Sequence, residues 1–290
     1  MLLSRFQGGL LGGQIGQALW SQTTAEGLPW VVLQDCVLAS LIQTGQFSLQ
    51  DWLDRIKQRD ASLLQQQHQG NSAEVALALF PVCLFYHENL PRLREMLVQG
   101  ATFWLGPQDS LDFLLGWGEG IARSLEMPNH PSALGESFSP QRDFLRNYKG
   151  KGFDLQQIQK PGKGLVQVIR EVSPHLNSGD AAIALALYCF SSTPDHFSLC
   201  LQRAANTDAY APLTTPLTGT IAGTYNGVHS LSLVRRHSLE SSVTLQAARQ
   251  LFQVWSGVYT PTEDLSLHPA IAGSGQLQPR PSLSLISHPS

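Results

Sequence analysis

The side chains in this sequence that could do chemistry gather in three places. Asn71, Ser72 and Glu74 follow Gly70, just ahead of a continuous apolar run from Val75 to Tyr86. Asp180 sits behind Ser178-Gly179 at the start of a second apolar stretch, Ala181 to Phe190. Asn206, Asp208, Tyr210, Thr214 and Thr215 crowd a third segment, next to a glycine-striped one. Carboxylates, hydroxyls and amides are the groups that hold a hard dication or orient a polar ligand. At helix starts they also cap free N–H groups and complement the positive end of the macrodipole. Hydroxyls can assist a metal but cannot neutralise a pair of dications. Glu74 and Asp180 therefore read as helix N-terminal charges, and no replacement two-metal site is expected from Glu74, Asp180, Thr214 and Thr215.

The remaining reactive groups point to structure. Cys36, Cys83, Cys189 and Cys200 form no Cys-x-x-Cys pair and lie in or beside apolar runs, so buried reduced thiols are expected. His68, in the polar run Gln65 to Gln69, has no partner at ligand spacing. Lys149-Gly-Lys-Gly152 and Lys160-Pro-Gly-Lys-Gly164 suggest a phosphate cradle. The required Gly-x4-Gly-Lys-[Ser/Thr] pattern is missing, however, and no buried strand precedes the segment, so a solvated loop is expected. A net charge of -3 with 14% charged residues supplies no basic field for a nucleic-acid backbone. Gly8 to Trp20 is short, interrupted by Gln14 and Gln17, and followed by no clean cleavage site. Neither a membrane span nor a secretion signal is expected, and the cytoplasm is the expected location.

The elements that must position these groups are helices. Gly8, Gly12 and Gly16 recur every fourth residue, as do Gly9 and Gly13, and Gly219, Gly223 and Gly227 do the same late in the chain. Each helical glycine costs about 1 kcal/mol relative to alanine, so such rows persist where another backbone must come close. Both segments are expected to be buried helices packed tightly in one core. Between them the spacing predicts helices over Trp30 to Thr44 with Gly45 as stop, from Ser48-Leu-Gln-Asp51 onward, after Gly70-Asn71-Ser72 with Pro81 as a kink or first turn, after Pro91, over Asp109 to Leu125, over Ala181 to Phe190, and from Pro194. A last helix is expected from Val243 to Tyr259. No stretch alternates long enough for a strand. The expectation is an all-α, compact single-domain orthogonal helical bundle over 1–259, with a disordered Pro/Ser-rich tail over 260–290.

The order of four motifs resembles the ADP-ribosylglycohydrolase (dinitrogenase-reductase-activating glycohydrolase) family. Arg5 to Ala18 is similar to its opening Arg-Phe-x-Gly-x-Leu-Leu-Gly-x-x-x-Gly-Asp-Ala, and Gly70-Asn71-Ser72 through Pro81 to its Gly-Asn-Gly segment and apolar helix. Ala186 to Phe190 with Thr193 to Phe197 looks like its Ala-Leu-x-x-Phe and Thr-Pro-Asp-x-Phe, and Gly219 to Gly227 like its closing Gly-Ala-Ile-Ala-Gly-Ala-Tyr-Tyr-Gly. The likeness covers most of residues 4–230. It implies an all-α fold around two Mg2+ ions held by carboxylates, a requirement set by the octahedral oxygen preference of that ion.

The departures fall on those carboxylates. Back-counting from Gly219 puts Tyr210 and Pro212 at the two positions of the family's late Asp-x-Asp, with Asn206 in register upstream and Asp208 two residues too early. The early Thr-Asp-Asp-Thr falls around Pro29 to Val32, where no Asp occurs, and Asp35 lies beyond it on the helix. The opening Gly-Asp has become Gly16-Gln17. Gln17, Tyr210 and Pro212 are thus degenerate metal positions, and no metal cofactor is expected. The resemblance then implies a pseudoenzyme whose former cleft, with Asn71, Ser72, Asn206, Thr214 and Thr215, binds an ADP-ribose-like small molecule or a protein partner. Two alternatives stay open. One is a hydrolase removing ADP-ribosyl groups by an altered or metal-independent mechanism; the other is a purely structural all-α scaffold whose family likeness lies only in its packing.

Overall fold

In the computed structural model, residues 2–19, 29–106, 111–126, 163–231 and 243–258 are described, with the backbone of 149–150 and 153–154. The helices run in order α1 Leu2–Ala18, α2 Trp30–Thr44, α3 Leu49–Asp60, α4 Ser72–Ala78, α5 Phe80–Phe85, α6 Leu90–Trp104 and α7 Asp112–Glu126. They continue as α8 Leu165–Val172, α9 Ser178–Ser192, α10 Phe197–Ala205, α11 Ala211–Asn226 and α12 Val243–Ser256. Among the described residues no helix is long and apolar enough to cross a membrane. The expected tail at 260–290 lies outside the described residues.

Local chemistry sets most helix boundaries. Ser48 caps α3 by accepting from the Asp51 N–H at 3.3 Å. Gly45 ends α2 in the left-handed conformation, φ 67°, returning its N–H to the Leu41 carbonyl. Pro81 stands in the first turn of α5, which separates it from α4, and Pro91 stands in the first turn of α6. Some boundaries differ from expectation, among them the end of α12, which stops at Ser256 ahead of Gly257 at φ 68° and short of Tyr259. Pro194 does not start α10: the chain first turns through Thr193 and the His196 N–H bonds back to the Thr193 carbonyl, so the helix begins at Phe197. Lys149–Gly150 pairs antiparallel with Phe153–Asp154 inside the segment read as loop, a ladder too short to leave an alternating pattern.

The core is organised on α1 and α11, which lie antiparallel and in backbone contact. A Cβ built on Gly8 would run into the Gly223 carbonyl, one on Gly12 into the Gly219 carbonyl, and one on Gly16 would stand 2.6 Å from the Thr215 carbonyl. The glycine rows thus let the two backbones touch, where Cα–H groups can face carbonyl oxygens. The threonines of α11 are fully buried, and all but Thr214 donate to their own helix: Thr215 to Ala211, Thr218 to Thr214, Thr220 to Leu217 and Thr224 to Thr220, each at 2.7 Å. The helices α4, α7, α9 and α10 surround α11, and α12 closes over α1. Phe6 of α1 meets Phe252 of α12 edge-on at 5.5 Å, and His87 stacks obliquely on Trp255 at 5.0 Å. Arg5, nearly buried, donates from Nη1 to the Ser124 and Leu125 carbonyls at 2.9 and 3.0 Å, capping the end of α7.

Candidate functional site

Three helix starts and one helix end converge where the candidate residues lie. Gly16 sets the last turn of α1 against the first turn of α11. Gly179, near the start of α9, meets the start of α4: a Cβ there would lie 2.8 Å from the Ser72 nitrogen and 3.0 Å from Asn71 Oδ1. Thr214 Oγ1 of α11 reaches the Ala182 carbonyl of α9 at 3.5 Å. Away from these starts, Gln34 Nε2 of α2 donates to the Leu77 carbonyl near the end of α4 at 2.7 Å.

Within this convergence the polar side chains engage one another and the backbone. Asn71 is the N-cap of α4; its Oδ1 accepts from the Ala73 and Glu74 N–H groups, both at 3.0 Å. Glu74 completes a capping box by accepting from the Asn71 N–H at 3.2 Å. Ser72 Oγ donates to Asp180 Oδ1 at 2.6 Å, with both residues only 4% exposed. The other carboxylate oxygen of Asp180 accepts from Asn177 Nδ2 at 3.1 Å. Asn177 in turn caps α9, its Oδ1 accepting from the Asp180 N–H at 2.8 Å. Thr215 Oγ1 is spent on the Ala211 carbonyl, and both Thr214 and Thr215 are fully buried. Asn206 turns its amide back on α10, donating to the Gln202 carbonyl at 2.7 Å.

The residues expected at degenerate metal positions are equally specific. Pro212 lies in the first turn of α11, where its missing N–H is not needed, and it carries no side-chain oxygen. The Tyr210 hydroxyl points across to Ser173, donating to its Oγ at 3.1 Å. Gln17 is half-buried on the last turn of α1. Asp208 is exposed with φ 51°, at the start of the short 3-10 turn that leads into α11. Asp35 lies on the outer side of α2 in a 3.1 Å ion pair with Arg59. Among the described residues, no group of three or more His, Cys, Asp or Glu could hold a metal ion. A pair of Mg2+ ions needs several carboxylates converging on shared positions. Glu74 and Asp180, each already serving a helix start, do not make that set, so these residues do not fit the two ions.

Sequence reasoning placed Asp180 at a helix start but missed Asn177, its clip, and Ser173, the partner of Tyr210. Asn177 was findable, because Asn-Ser-Gly-Asp ahead of an apolar run is a capping pattern. Ser173 lies 37 positions from Tyr210 and gave no local signal. The lysine of the suspected phosphate loop is also engaged: Lys163 Nζ pairs with Glu171 Oε2 at 2.5 Å. All four thiols are free and buried.

No family model and no curated protein matches the chain. Among solved structures, one described as "ADP-ribosylglycohydrolase-related protein complex" is similar, with a TM-score of 0.61 and 17% identity over 87% of this chain and 98% of that one. The all-α fold of this chain is therefore of the ADP-ribosylglycohydrolase type.

Proposed function

We propose that this protein is a non-hydrolytic protein of the ADP-ribosylglycohydrolase fold that acts by binding, through the region where α4, α9 and α11 begin. The observation that carries the proposal is the fate of the polar groups there. Asp180 is oriented by Ser72 and Asn177, Asn71 and Glu74 cap α4, and Thr215 bonds to its own helix. Two-metal hydrolysis needs the opposite arrangement, with carboxylates presented to ions and ions presenting water to the substrate. Pro212 and Tyr210 supply neither a carboxylate nor a replacement for one.

Binding then falls to side chains at the rim of this region and to the outer surface. Two ligand classes are in view: an ADP-ribose-like small molecule, from the fold, and a protein partner. The solved structure with the same fold is described as a complex, which supports the partner class.

The test is direct. ADP-ribosyl-arginine and ADP-ribosyl-serine peptides are incubated with the protein, with and without Mg2+ or Mn2+, and free ADP-ribose is measured. No release above the protein-free control is expected, and metal-dependent or metal-independent release would overturn the proposal. Calorimetric titration with ADP-ribose tests the first class: saturable binding assigns the small molecule, and its absence removes it.

A further inference from the structure

We propose that the junction of α4 and α9 is closed by a hydroxyl–carboxylate clamp, Ser72 to Asp180, so that the site keeps its shape independently of divalent cations. This rests on the non-hydrolytic reading above and deepens it by stating what does not regulate the site.

The two helices approach N-terminus to N-terminus, close enough that Gly179 has no room for a side chain beside Ser72 and Asn71. Asp180 stands in the first turn of α9 at that approach. Its Oδ1 takes a hydroxyl from α4 at 2.6 Å, and its Oδ2 takes the Asn177 amide from its own helix start at 3.1 Å. The carboxylate is thus oriented from both helices and shielded from water. In a metal-bridged cleft a dication holds such elements together; here a direct bond between side chains of the two helices does so. That hydroxyl belongs to the third residue of Gly70-Asn71-Ser72, a glycine in the pattern the segment resembles.

Thermal unfolding of the full chain tests the clamp, in excess EDTA and in excess MgCl2. The midpoints are expected to agree within about 1 °C, because a ligand that binds only the native state would raise them. Ser72→Ala is expected to lower the midpoint by about 3 °C or more. Its effect should be less than additive with that of Asp180→Asn, as for residues sharing one bond. Amide exchange should speed up in the first turns of α4 and α9 and stay unchanged in α12, a localisation that general destabilisation would not produce. A saturable rise with Mg2+ in the unsubstituted protein overturns the clamp, as does additivity of the two substitutions. Hydrolysis of ADP-ribosyl peptides with matching midpoints would remove the non-hydrolytic reading and leave the clamp standing. A Mg2+-raised midpoint without hydrolysis would do the reverse.

Discussion

Gly12 and Gly219 face each other so closely that a Cβ on either would collide with the carbonyl of the other. The obstacle on each side is backbone, which cannot swing away as a side chain can. Gly12→Ala or Gly219→Ala is therefore expected to destabilise the fold by about 3 kcal/mol, the upper end of core overpacking. Urea unfolding measures it. Gly164→Ser is the control: nothing lies within 4 Å of a Cβ at that N-cap, so the change should be neutral to slightly stabilising.

Arg5 reaches across 119 and 120 positions to cap α7 through the Ser124 and Leu125 carbonyls. Hydrogen bonds to a charged group contribute about 1.5–3 kcal/mol, so Arg5→Met should cost about 2 kcal/mol. The last turn of α7 should lose amide protection first. If protection is lost evenly along α7, the capping role is wrong.

Asn71 is expected to matter as a cap. Asn71→Ala should lower stability by about 1 kcal/mol, while Asn71→Asp or Asn71→Ser retains most of it. Equal losses for all three would mean that Asn71 acts through something other than its Oδ1 acceptor.

Burial pushes the Cys200 thiol from its ordinary value of 9.0 up to about 11, partly offset by its Thr193 hydrogen bond. Cys83 and Cys189 move in the same direction, again chiefly through burial. The folded state holds these protons above the pH at which the unfolded chain releases them. Their contribution to stability is complete below about pH 9 and declines as pH rises through the Cys200 value. Denaturant midpoints should therefore fall between pH 9 and 11, and Cys200→Ser should flatten part of that fall. In native protein at pH 8 a disulfide-exchange reagent should label these thiols only at the rate of unfolding.

The helices were legible in the sequence wherever their signals were local. Glycines every fourth residue marked α1 and α11 as buried, close-packed helices, Ser48 marked a helix start, and Pro81 allowed a kink or a first turn; Asn71, read as part of a turn and a ligand site, is a cap. Signals that span the chain were not legible: Ser72 and Asp180 lie 108 positions apart, and neither predicts the other. Tyr210 and Pro212 stood out only against the resembled pattern, which has carboxylates at those two positions. Only the folded chain brings Ser173 to Tyr210 and Ser72 to Asp180.

The pairing of α1 with α11 also fixes when the protein can be finished. Ser4 accepts from the Val228 N–H at 3.1 Å, and Gln14 donates to Thr244 at 2.6 Å, contacts that span 224 and 230 positions. As the chain leaves the ribosome, its first helix has no mate for its glycine face until nearly all later helices have emerged. Helices made in between can gather early, but the innermost one is seated last. Nascent chains halted before residue 211 should therefore remain protease-sensitive at α1, whatever the order elsewhere.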